Sequence, residues 1–109
     1  MFLIVSKYLI PKGYAGLTFY PFIILKYKSY LTNSTTINHE KIHIRQQLEL
    51  LVLPFYFFYV ANFFYNYFKY KSFEIAYRNI IFEREAYANE KNLDYLKSRS
   101  LFGFLKYFF

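Results

Sequence analysis

Charged positions divide the chain into stretches of different character. Residues 1–31 are apolar and broken by turn formers: Pro11-Lys12-Gly13 and Gly16 end a first run, and Pro21 interrupts a second. The segments Phe2–Ile10 and Gly16–Tyr27 are rich in Val, Ile, Phe, Tyr and Thr, which predicts a hairpin-like pair of strands. Segments lying on a membrane surface are the other reading of such short apolar runs. Residues 31–36 are polar and rich in Thr, Asn and Ser, as in a loop that ends in a helix cap, with Thr35 or Thr36 as the expected cap. A helix is predicted over 36–68. It starts through His39, Glu40, Gln46 and Glu49, then enters the 19-residue run Leu50–Phe68, which carries no charge.

As a helix, that run is roughly 28 Å long, close to the thickness of a bilayer's hydrocarbon core. Pro54 should kink or restart it. Tyr56, Tyr59, Tyr65 and Tyr67, with Asn62 and Asn66, make it more polar than an ordinary span, and tyrosine favours the headgroup zone. The expectation is a membrane-contacting segment, either spanning or lying in the interface. Ser72 is expected to cap a second, more polar helix over 72–98, with Glu74 and Arg78 spaced for an i,i+4 ion pair. The tail, 101–109, is apolar again and reads as a second surface anchor. The chain has room for one domain, mainly α with a small N-terminal β or extended element.

Composition sharpens the membrane expectation. Hydrophobic residues make up 56% of the 109 positions and aromatics 27%, and so short a chain cannot hide that many rings in one water-facing core. The net charge of +7 admits nucleic acid, an anionic membrane surface or an acidic partner. The basic residues are scattered, and Lys26, Lys28, Lys69 and Lys71 flank apolar runs, which favours membrane lipid over nucleic acid. There is no cysteine, so neither a disulfide framework nor a thiolate metal site is available. The N-terminus lacks the basic region and small-residue cleavage site of a secretion signal, so an uncleaved protein is expected.

The candidate chemistry lies in His39-Glu40-Lys41-Ile42-His43. Residues four apart share a helix face, so the two imidazoles can hold one zinc ion. Glu40 is placed to take a proton from an attacking water, as in the H-E-x-x-H pattern. The chain's only two histidines fall in this motif, so the third ligand must be a carboxylate or a weaker group. The candidates are Glu74, Glu83, Glu85 and Glu90. Glu83 and Glu85 point about 200° apart on one helix, and neither face is clearly the better one for packing. Gln46 shares the face of His43. Arg45, Arg78, Tyr77 and Tyr87 are further polar groups able to reach a substrate carbonyl.

In these residues the chain resembles the gluzincin-type zinc metallopeptidases, and within them the membrane-embedded members whose third ligand stands in E-x-E-A-D-x-x-A. It is similar as well to small bacterial H-E-x-x-H proteins. The text here reads Glu83-Arg84-Glu85-Ala86-Tyr87-Ala88-Asn89, with Tyr87 where the family has Asp. The resemblance implies His39, His43 and Glu85 as zinc ligands, Glu40 as catalytic base, a peptide or protein substrate, and a place in the cell envelope. The rival expectation is a non-catalytic accessory subunit, in which zinc clamps two helices within a complex of membrane proteins.

Overall fold

Three strands, rather than two, form at the N-terminus. The computed structural model describes residues 2–10 and 14–108, so the Pro11-Lys12-Gly13 break lies outside the described residues. The strands are β1 (Phe2–Val5), β2 (Gly16–Phe19) and β3 (Phe22–Leu25). The second apolar segment is itself the hairpin. It folds back at Tyr20-Pro21, where proline has no N–H to give a ladder, and pairs antiparallel from Gly16↔Leu25 to Phe19↔Phe22. β1 then adds in parallel to the other side of β3, from Phe2↔Phe22 to Val5↔Leu25. β3 is therefore central, with Ile23 and Leu25 fully buried against Ile44, and β2 is an edge.

The predicted long helix is two helices. Asn33, rather than Thr35 or Thr36, caps α1 (Ser34–Leu50): its side-chain oxygen accepts the Thr36 N–H at 3.1 Å. In a continuous helix the Pro54 ring would strike the Leu50 carbonyl. The chain instead turns at Leu51, with φ 66° and ψ 155°, and restarts as α2 (Val52–Tyr70) with Pro54 in its first turn. The two axes differ by 110°. Among the described residues no single helix is long and apolar enough to cross a membrane.

Ser72 does cap the next helix, accepting the Ile75 N–H, but that helix is not continuous either. It divides into α3 (Phe73–Arg78), α4 (Ile81–Asn89) and a single turn, α5 (Tyr95–Ser98). The asparagines of the uncharged run explain how the break is tolerated. Asn62 accepts the Ile81 N–H at 2.8 Å at the start of α4, and Asn66 donates to the Ala76 carbonyl at 3.1 Å. Both satisfy backbone groups that a helix end leaves open. No Glu74–Arg78 ion pair forms; the Arg78 guanidinium lies 4.0 Å from the centre of the Tyr87 ring.

Phe55, Ile80, Phe82 and Phe104 form the main apolar core, so the C-terminal tail supplies part of the interior rather than serving only as an anchor. Full burial of one such side chain stabilises the fold by about 1.5–3 kcal/mol. Behind this core the Arg99 guanidinium is buried between Glu49 and Glu85. Gly103 closes the cluster: a Cβ there would lie 2.9 Å from Glu85 Oε2 and 3.1 Å from Arg99 Cγ. Gly103→Ala is expected to destabilise the protein by about 1–3 kcal/mol, read by chemical denaturation, because the locked carboxylate has no room to retreat.

Candidate metal centre

The buried face of α1 is unusual in chemistry: Asn38, His39, Glu40, His43, Gln46 and Gln47 are all inside, with Ile42 and Ile44. Each polar group finds a partner, and among the described residues no buried side-chain nitrogen or oxygen lacks a hydrogen bond. His39 and His43 face α4. Their Nε2 atoms both lie 3.1 Å from one oxygen, Oε1 of Glu83. The three side chains are buried, and their ligand atoms fall within 4.8 Å of one another.

The other ring nitrogens fix the proton positions. His39 Nδ1 meets Glu90 Oε2 at 3.0 Å, and His43 Nδ1 meets Gln46 Oε1 at 2.8 Å. Gln46 cannot present its nitrogen there, because Nε2 donates to the Phe82 carbonyl at 3.1 Å and to Glu85 Oε1 at 2.8 Å. Each Nδ1 is therefore the donor. In a neutral ring that leaves a lone pair on Nε2. Two lone pairs aimed at a carboxylate oxygen repel unless a proton or a cation lies between. The spacing suits a cation: with bonds of about 2.0–2.1 Å, tetrahedral ligand atoms stand about 3.3 Å apart. The donor set, its burial and the two 3.1 Å separations from Glu83 fit a metal ion.

Without a metal, the same cluster holds protons. Burial lowers the affinity of His43 for a proton, but the Glu83 charge and hydrogen bond outweigh it and push its pKa up to about 9. Burial alone would raise the Glu83 pKa; the imidazoles hold it well below the usual carboxylate range. The Tyr59 hydroxyl donates to Glu83 Oε2 at 2.6 Å, and burial beside that carboxylate drives the phenol far above its ordinary range.

Of the four carboxylates open in the sequence, Glu83 joins the histidines and Glu85 does not. Glu85 faces the opposite way, onto Arg99, Tyr95 and Gln46. The 200° between them gives one to each side of α4. Glu90 meets His39 Nδ1, and the Tyr87 ring packs against His39 with centroids 4.6 Å apart. Glu74 is exposed. Tyr56 and Tyr59, read from the sequence as headgroup tyrosines, turn inward, to the Thr18 carbonyl and to Glu83. Their spacing with Phe55 and Phe63 was the available signal.

Glu40 is held from the sheet. The Thr18 hydroxyl donates to its Oε2, and Gly16 lets β2 press close, since a Cβ there would lie 3.3 Å from Glu40 Oε1. A cavity of about 430 Å³ opens beside these groups. Its lining includes Glu40, His43, Glu83 and Tyr77, β2 from Gly16 to Thr18, and a run of α2 residues from Phe55 to Phe64 that includes Tyr59 and Val60. No family model, no curated protein and no solved structure matches this chain. The gluzincin resemblance therefore rests on the motif residues alone.

The pH dependence of the metal-free protein follows from His43. Its folded pKa is raised above the ordinary 6.5, so its contribution to stability is complete below about pH 6.5. That contribution is lost as pH rises through about 9. Thermal melts of metal-free protein should show a falling Tm over this window, and Glu83→Ala should flatten the slope.

Proposed function

We propose that the chain is a zinc-dependent, metallopeptidase-like hydrolase that works at a membrane surface. The observation that carries this reading is the pair of buried imidazoles whose Nε2 atoms both lie 3.1 Å from Glu83 Oε1 while each Nδ1 is engaged by Glu90 or Gln46. His39, His43 and Glu83 would hold the ion as three protein donors. Zinc bound there would supply Lewis acidity, lowering the pKa of a bound water and polarising the scissile carbonyl. Glu40 accepts the proton from the attacking water and returns it to the leaving amine. Thr18 holds the Glu40 carboxylate through a hydrogen bond, and Tyr77 lines the cavity wall.

The sheet offers a track for an extended peptide. The Lys26 N–H donates to the Ala15 carbonyl at 2.9 Å, and the alternation of an antiparallel ladder then turns the backbone groups of Gly16 and Thr18 away from β3. The Thr18 carbonyl and the Tyr20 N–H are taken by Gln47 at 2.9 Å and 2.7 Å. The Gly16 end of the edge faces the cavity, where a substrate strand can add. The cavity favours hydrolysis over the rival reading, in which zinc only clamps α1 to α4. Glu40→Gln should keep close to one zinc per chain and lose peptide hydrolysis, while Glu83→Ala should lose the zinc. Full function retained in Glu40→Gln would favour the clamp.

The membrane part rests on α2. Leu53, Phe57, Val60, Phe64 and Phe68 form one stripe along it, each 47–75% exposed, with Val60 and Phe64 also lining the cavity and Lys69 and Lys71 at the end of the stripe. An apolar stripe flanked by lysines suits an interfacial helix on an anionic leaflet. Cell fractionation should place the full chain in the membrane pellet through a high-salt wash, and Phe57→Ser with Phe64→Ser should release it. Release of the wild type by salt alone would mean that charge, not the stripe, holds it.

A further inference from the structure

Glu85 is fully buried and turned away from the histidines, and its hydrogen bonds run back toward them. Its Oε1 accepts from Gln46 Nε2 at 2.8 Å and from an Arg99 Nη at 3.1 Å. Its Oε2 accepts from the Tyr95 hydroxyl and from Arg99 Nε, both at 2.5 Å. Arg99 grips Glu49 with its two terminal nitrogens at 2.8 Å and 2.9 Å, and the side chains of Arg99, Glu85 and Glu49 are 0–4% exposed. Buried charges persist only where every one is paired and bonded, and the geometry of such a cluster has little freedom. The cluster therefore fixes where the Glu85 oxygens lie.

That rigidity passes to Gln46. An amide nitrogen has two hydrogens, and here both are committed, one to Glu85 and one to the Phe82 carbonyl. The amide cannot flip without placing its oxygen against two acceptors. Its oxygen must then face His43 Nδ1, 2.8 Å away.

We infer that Gln46, locked by Glu85 and Arg99, is a positioning residue that holds His43 with its proton on Nδ1 and its Nε2 lone pair on the metal. The inference rests on the proposed zinc site and assigns it an orienting chain of one amide, one carboxylate and one guanidinium. Glu85, placed by resemblance among the ligands, acts two hydrogen bonds behind one. Groups that orient a ligating histidine in this way hold its tautomer and ring angle, and losing them typically weakens metal binding by about 10–100-fold.

The test uses the full chain with ¹⁵N-labelled histidine, loaded with zinc. In the wild type, His43 should coordinate through Nε2 and carry a slowly exchanging hydrogen on Nδ1, a result that needs no variant to fold. Gln46→Met, which keeps the volume and removes the acceptor, should raise the zinc Kd by about 10–100-fold, measured by chelator competition, and speed exchange of the Nδ1 hydrogen. Glu85→Gln touches neither histidine and should move both readouts in the same direction. Coordination of wild-type His43 through Nδ1 overturns the inference and leaves the zinc site standing. So does a Gln46→Met protein that binds zinc with unchanged Kd and ring spectrum. A wild-type protein that takes up no zinc overturns the site and the inference together.

Discussion

A helix that buries six polar side chains can fold only if the surrounding chain supplies a partner for each of them. That constraint on α1 organises the molecule. β2 answers Glu40 through Thr18, and Gln47 answers the open edge of β2 in return. α4 supplies Glu83 to the two histidines, and Phe82 and Glu85 to Gln46. Asn38 reaches the carbonyls of Asn89, Glu90 and Asn92 where α4 ends. Arg99 and the N–H of Phe102 meet Glu49 and draw the C-terminal segment over the back of the helix. Sheet, α4 and tail are each held to α1 by polar groups, and the apolar core fills in behind.

This division explains how α2 can be so apolar. One face carries Phe55 into the core and sends the hydroxyls of Tyr56 and Tyr59 toward β2 and Glu83. A second position set, Asn62 and Asn66, serves the broken helix pair α3 and α4. The remaining stripe is largely exposed, with Val60 and Phe64 also lining the cavity, and it is the stripe we propose to meet a membrane. The run looks uniform in sequence because every side of it is rich in rings, yet its faces do different things.

The sequence made some of this legible. The H-E-x-x-H spacing put His39, His43 and Glu40 on one buried helix, because a period of 3.6 leaves little choice for residues four apart. Pro54 announced the restart of the helix, and Ser72 the cap of α3, since both act locally. The β character of the N-terminal residues was legible, but their pairing was not: β1 joins β3 in parallel, and parallel pairing leaves no turn to read. The carboxylate beside the histidines is Glu83 and not the Glu85 that the resemblance implies, for a different reason. Helical geometry showed that Glu83 and Glu85 must diverge, while the choice between them depended on which side of α4 met α1. That side is set by Arg99, a distant residue whose pairing with Glu85 no local pattern announces. The tyrosines of α2 were read by their average preference for interfaces, when two of them were needed for single hydrogen bonds.

The central claim is that His39, His43 and Glu83 bind one zinc and leave a position open. X-ray absorption at the zinc edge, on full-length protein loaded with zinc and desalted, tests it most directly. The account predicts one tightly held zinc per chain with two imidazole nitrogens at about 2.0–2.1 Å and only oxygen in the remaining positions. A protein that stays metal-free after loading, or a zinc that sees fewer than two imidazoles, would contradict it.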